Sequence, residues 1–314
     1  MSEFLEPFER MLEALSPPAT VRAIEAGDSA QALWSAIAES GFLDALVPEA
    51  RGGAGLPLAE VGALWQALGR HAVPLPVGET MIARALLPDA PDGPIALAVA
   101  SAGGEIVVPF GGVADHVLIE REGQLHLIAA DGSPTDVFGS TALRLSPALG
   151  KAVAPAPEGG LRAIAAILRA ALIAGAADRL TCMTAAYANE RIQFGKPIGK
   201  QQALQQQMAV MAEDMIACRI AAQLGCAGGL PPGLTAAATA KSVTSTAAAR
   251  LAATAHAVHG AIGISEEYDL QLYTRRLHEW RLADGSESYW NRLLGAARLA
   301  DGRGSVDYVR ATFA

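Results

Sequence analysis

The stretch Tyr187-Ala188-Asn189-Glu190-Arg191-Ile192-Gln193-Phe194-Gly195-Lys196-Pro197-Ile198-Gly199-Lys200-Gln201-Gln202 decides how the chain is read. Before it, Ile164, Ile167, Leu168, Leu172 and Ile173 recur at helical spacing, in a segment that can run through Tyr187. After it, Leu204, Met208, Met211, Met215 and Ile220 form an apolar stripe, while Gln205, Glu213, Asp214 and Arg219 stay polar. Gly195 and Pro197 interrupt both patterns, so the spacing predicts two long helices joined by a turn. Arg191, Gln193 and Lys196 then stand beside a new helix N-terminus, where free N–H groups and the helix dipole attract anions and a guanidinium supplies a planar donor for phosphate. The residues alone leave open an anion site and an ordinary helix hairpin, with the hairpin favoured.

Further along, Ala257-Val258-His259-Gly260-Ala261-Ile262-Gly263 leads through Ser265-Glu266-Glu267-Tyr268-Asp269 to Tyr273-Thr274-Arg275-Arg276 and Asp284-Gly285-Ser286-Glu287. The Gly260 and Gly263 turn lets backbone approach a ligand closely. The Arg275-Arg276 pair requires acidic partners, for which Glu266, Glu267 and Asp269 are candidates.

Around this core the chain divides into three zones. Residues 1–88 read as helices joined by Gly/Pro turns, with Phe4, Phe8, Met11 and Leu12 on one face and Ser29 capping the helix that carries Leu33, Trp34 and Ile37. Residues 89–158 hold short β-branched or alternating runs at 95–99, 105–109, 116–119, 124–128 and 142–145, a small antiparallel sheet domain. Residues 159–314 return to long helices. The predicted fold class is α+β, mainly α, with an N-terminal helical domain, a small antiparallel β domain and a C-terminal four-helix bundle.

Composition narrows the function. The 314 residues are 51% hydrophobic and 18% charged with a net charge of -8, which excludes a disordered chain and leaves no basic stripe for nucleic acid. Cys182, Cys218 and Cys226 lie in Ala-rich helical sequence, where buried free thiols are expected. No apolar run reaches a membrane span and the opening residues are unlike a signal peptide, so a soluble cytoplasmic protein is expected, without nucleic-acid or membrane partners. His256 and His259 lack a third ligand nearby, and neither a metal site nor a nucleophile elbow is predicted.

Leu46-Val47-Pro48-Glu49 with Gly52-Gly53-Ala54-Gly55-Leu56-Pro57, Leu68-Gly69-Arg70, Arg191-Ile192-Gln193-Phe194-Gly195-Lys196-Pro197-Ile198 and Val258-His259-Gly260-Ala261-Ile262-Gly263 together resemble the acyl-CoA dehydrogenase family over nearly the whole chain. The resemblance implies an FAD-dependent oxidoreductase that desaturates an acyl-CoA thioester at Cα–Cβ, assembled as a homo- or hetero-oligomer, with electron-transfer flavoprotein as a possible acceptor. It implies that Arg191 and Gln193 contact the pyrophosphate of a neighbouring subunit's FAD. Phe194, Ile198 and Gln201 would line its adenosine side, and Gly260, Gly263 and Ser286 would add cofactor contacts. The base, in most members a Glu before a Gly-Thr pair, falls on Asp284; a second family arrangement places it on Asp178, where an ion pair with Arg179 or a lysine is the alternative. Glu287 is a weaker, solvent-facing candidate.

Departures from the pattern define two further readings. Ala257 stands where the family has Gln, Ala261 where it has a second Gly, and residues 89–158 lack the acidic, Gly- and Ser-rich segment that cradles the flavin ring. These favour a non-catalytic subunit that completes the FAD site of a partner. The aspartate at 284 also matches the nitroalkane oxidases that resemble this family.

Overall fold

The computed structural model describes residues 3–100, 104–146 and 149–313. The first zone contains helices α1 (Leu5–Leu15), α2 (Pro18–Glu25), α3 (Gln31–Glu39), α4 (Leu58–Arg70) and α5 (Val77–Leu86). Phe8 and Leu12, four residues apart on α1, are fully buried, and Phe8 meets Phe42 edge-on at 4.7 Å. Pro18 opens α2 at a position whose N–H would be unpartnered anyway. Ser29 Oγ accepts from Gln31 N–H at 3.2 Å just ahead of α3.

The middle zone forms two small sheets, with strand orders β1-β3-β4-β7 and β2-β6-β5. The strands are β1 (Ile95–Val99), β2 (Gly104–Val108), β3 (His116–Arg121), β4 (Gln124–Ala129), β5 (Ser133–Pro134), β6 (Thr141–Leu145) and β7 (Ala154–Pro155). The expected sheet was antiparallel, and one pair departs from it: β1 runs parallel to β3, Ile95 opposite His116. The reason is connectivity, because β2 leaves for the second sheet and the chain returns to β1 by a crossover. Strand alternation divides β1 between two cores: Ile95 and Leu97 join the helical core, while Ala96 and Ala98 pack with Val108, Val117, Ile119 and Leu143.

The last zone consists of α6 (Leu161–Glu190), the hairpin β8 (Ile192–Gln193) and β9 (Lys196–Pro197), α7 (Gln202–Cys226), α8 (Leu234–His259), α9 (Leu270–Leu282), α10 (Glu287–Ala300) and α11 (Ser305–Phe313). From Ala163 to Ala177 every residue of α6 is buried, the signature of a helix enclosed on all sides. Helices α7, α8 and α9 pack around it as a bundle, and α4 crosses it from the first zone. That crossing is backbone on backbone: a Cβ at Gly69 would lie 2.0 Å from Leu172 O, and one at Gly175 would lie 1.8 Å from Gln66 O.

Several local expectations are corrected. Cys218 and Cys226 are buried but Cys182 is exposed, because its stretch of α6 has left the bundle centre. Arg275 and Arg276 are not paired with the nearby acids; both reach Glu25 of α2, and Asp269 pairs with Arg22 instead. The apolar stripe of α7 is only partly core, with Met211 buried and Ile220 exposed. Glu287 does not simply face solvent but pairs with Arg281, whose hydrogen bond holds its carboxyl below the usual range. Among the described residues no helix is long and apolar enough to cross a membrane.

Candidate functional site

Two sites emerge, at opposite ends of the chemistry the sequence singled out. The first is the turn after α6. Phe194 and Gly195 join β8 to β9 with φ of 51° and 75°, the paired positive values of a two-residue hairpin. A phenylalanine in the left-handed region is strained, and its ring is 92% exposed. Arg191, Gln193 and Lys196 are exposed on the same hairpin, and neither cation has an acidic partner among the described residues. Ile198 behaves differently: it packs with Ala188 and Val258 and anchors the turn rather than lining its outer surface. Gln201 precedes α7, its carbonyl accepting from Gln205 N–H at 3.0 Å.

The Gly260 turn lies against this hairpin. Tyr187 stacks on His259 with ring centroids 4.4 Å apart, and its hydroxyl donates to the His259 carbonyl at 3.3 Å. His259 Nδ1 bonds to Ala255 O at 2.8 Å, which leaves the buried Nε2 without a partner; burial pushes this imidazole below its ordinary pKa. Gly260 adopts φ 61°, ψ -136°, conformational space that suits glycine alone, and a Cβ there would meet nothing within 4 Å. Gly263, by contrast, is buried against His259 and Leu270. The two sequence motifs therefore form one exposed, donor-rich surface with a buried aromatic base.

The second site is a cleft of about 360 Å³ between β1, β2 and the turn linking α9 to α10, lined among others by Val99, Val107, Glu279, Leu282, Asp284 and Gly285. Asp284, with φ 58°, faces this cleft and also the protein interior. Its Oδ2 accepts from Arg169 Nε at 3.0 Å, and Arg169 Nη1 donates to Glu79 Oε1 at 2.5 Å. Arg169 and Glu79 are almost wholly buried, on α6 and α5. Burial opposes the Arg169 cation, but Glu79 and Asp284 more than offset it and hold the guanidinium charged. Glu279, in the last turn of α9 and five residues before Asp284, is pushed upward by burial, and its Oε1 has no hydrogen-bond partner among the described residues. Ser286, at the N-cap of α10, makes no side-chain cap bond.

Asp178 lies elsewhere. Nine residues beyond Arg169 on α6, it is about 13 Å further along the axis and half a turn around, paired with Arg70 of α4. Asp178 and Asp284 thus do not converge on one point. The sequence reading missed Glu79, Arg169, Lys241 and Glu279. The available signal was a lone arginine, Arg169, inside the apolar run from Ala163 to Ala177, where an unpaired charge is too costly to persist.

Comparison with known proteins agrees with this architecture. Residues 163–300 match the family described as acyl-CoA dehydrogenase, C-terminal domain. The chain is 38% identical over 284 residues to acyl-CoA dehydrogenase IpdE2 of Mycobacterium tuberculosis, covering 83% of this chain and 85% of the relative. The ChsE4-ChsE5 complex of Mycobacterium tuberculosis superposes with a TM-score of 0.81 at 23% identity, covering 97% of this chain and 99% of the other. A Tcur3481-Tcur3483 steroid ACAD variant gives 0.81 at 25% identity, covering 95% and 98%. The fold, the two motif turns and a relative aligned over most of both chains establish that this chain belongs to the acyl-CoA dehydrogenase family.

Proposed function

We propose that this chain is the flavin-completing subunit of a heteromeric, FAD-dependent acyl-CoA dehydrogenase that acts on a bulky polycyclic CoA thioester. The observation that carries the reading is the hairpin at Phe194. A strained, solvent-facing aromatic flanked by Arg191, Gln193 and Lys196 is costly on a free surface and useful against a ligand held by a neighbouring subunit.

The residues fit one end of FAD and not the other. The Arg191 guanidinium and Gln193 amide supply donors for a pyrophosphate, and the open Gly260 backbone admits it closely. Phe194 offers a ring face to the adenine. The sequence between β1 and β2 is only residues 100–103, and it lacks the acidic, Gly- and Ser-rich segment that cradles the flavin ring in the family. FAD held there would supply the acceptor for the hydride that leaves the substrate's β carbon. This chain's part is to hold the anionic end of the cofactor and orient it toward the partner's substrate. The similarity to the ChsE4-ChsE5 complex supports a two-chain assembly, and the steroid ACAD supports the substrate class.

The position of Asp284 on the cleft wall favours a second reading, in which this chain supplies its own base. Against it, the Asp284 Oδ2 oxygen is already engaged by Arg169. The deciding experiment is the visible spectrum of the chain purified alone and with a co-expressed acyl-CoA dehydrogenase chain from the same source. The proposal expects colourless protein alone and a yellow complex that bleaches with acyl-CoA. Yellow protein that bleaches without a partner overturns it in favour of Asp284.

A further inference from the structure

A buried cation that neither site absorbs lies beneath the cleft. Lys241, about two turns into α8, is completely buried, and its Nζ donates to Ser245 Oγ at 2.9 Å, Arg281 O at 2.8 Å and Gly285 O at 2.9 Å. An ammonium has three donors and no acceptor, so all of its capacity is used. Two of the acceptors are main-chain carbonyls that bracket Asp284. Arg281 O belongs to the last turn of α9, where helical carbonyls lack intrahelical partners. Gly285 O follows the left-handed Asp284 directly. Between them lie Leu282, Ala283 and Asp284, the cleft wall itself.

The charged groups around Lys241 come from every neighbouring element: Asp284 in the turn, Arg169 on α6, Arg281 on α9 and Glu287 on α10. None forms a direct ion pair with it, the carboxylate of Asp284 being turned to Arg169 instead. Burial is costly enough to push the Lys241 ammonium down to about 7. An apolar side chain would fill the same space between α8 and α9 without that cost, so what the ammonium adds is its grip on the main chain.

We propose that Lys241 is the positioning residue of the cleft: it clamps the backbone on both sides of Asp284 and thereby fixes the direction of that carboxylate and the shape of the wall from Leu282 to Gly285. Arg169 holds the side chain of residue 284, and Lys241 holds its main chain. The assignment goes beyond the subunit reading and is independent of it, since it concerns the chain alone and needs no flavin.

Trp290 provides the reporter, because its Nε1 lies within 2.8 Å of where a Cβ on Gly285 would sit. Indole N–H resonances of the 15N-labelled chain are compared among wild type, K241M, S245A and D284N. Moving the turn in K241M shifts the Trp290 resonance while Trp34, in the first zone, stays in place. S245A removes the Ser245 Oγ bond to Arg281 O at 3.3 Å but keeps both Lys241 bonds to the main chain, and shifts Trp290 by less than half as much as K241M. In parallel, the drop in Tm caused by D284N is at least halved in the K241M background, because a carboxylate no longer aimed at Arg169 has less to lose. If K241M does not fold, K241Q takes its place in both measurements. An unmoved Trp290, an equal shift in S245A, or fully additive Tm losses overturns the proposal and leaves Lys241 as general packing.

Discussion

The cleft network and the Phe194 hairpin use the same residue types to opposite ends. At the cleft, Glu79, Arg169, Asp284 and Lys241 are buried or nearly so, and each has a partner within the chain. At the hairpin, Arg191 and Lys196 are exposed and have no acidic partner among the described residues, and an aromatic ring stands in solvent. Charges that satisfy one another inside a protein shape it; charges left unsatisfied on a strained turn are available to something else. The contrast separates the part of the chain that holds itself together from the part that addresses another molecule.

The contrast breaks most readily at Arg169. Replacing it with Met leaves Glu79 and Asp284 buried without compensation and costs about 3–5 kcal/mol in urea unfolding. Combining Arg169→Met with Glu79→Gln and Asp284→Asn recovers most of that loss. If the single variant is as stable as wild type, the cleft network is not a structural lock. Asp284→Asn alone removes one charge-assisted bond and costs about 1.5–3 kcal/mol; a base free of structural duties would leave unfolding unchanged.

A third outcome sharpens the boundary between the regions, since the exposed hairpin rests on the buried His259. That imidazole stays neutral in the fold with its pKa lowered, whereas in the unfolded chain it takes a proton near pH 6.5. Its contribution is therefore complete above pH 6.5 and declines as pH falls through that value toward the lower folded pKa, by at most about 1.4 kcal/mol per pH unit for one proton. His259→Phe flattens this part of the stability profile between pH 7.5 and 5; an unchanged profile removes the assignment. The smallest effect on stability is expected at Arg191→Gln, within about 0.5 kcal/mol of wild type, since that exposed side chain has no acidic partner among the described residues. The same variant, in complex with a partner chain, loses flavin on gel filtration. Retention of full flavin content would detach the hairpin from cofactor binding.

Sequence legibility followed the same division. The hairpin and the Gly260 turn could be read because they are local: a Gly and a Pro interrupting two helical periods, and a Gly turn after a histidine, announce themselves within a dozen residues. The structure then added their adjacency through Tyr187, Ala188, Ile198 and Val258. The buried network could not be read in that way, because Glu79, Arg169, Lys241 and Asp284 are separated by scores of residues and meet only through the packing of α5, α6, α8 and the turn after α9. The wrong partners for Arg275 and Arg276 have the same cause. Acids close in sequence were expected, and Glu25, roughly 250 positions away, was brought there by the fold. The strands were legible from their alternation, whereas the parallel pairing of β1 with β3 depends on where β2 goes.

The glycine contact between α4 and α6 has a mechanical consequence. Where two helices touch through Gly69 and Gly175 there is no cushion of side chains to shear, and turning either helix by one residue would drive a side chain into the other's backbone. Glu79 is carried just beyond α4, and Arg169 on α6 holds the Asp284 carboxylate at the cleft wall, so that wall is tied to a fixed joint. Any opening wide enough to admit or release a guest must then come from the opposite wall, which β1 and β2 supply through Leu97, Val99 and Val107.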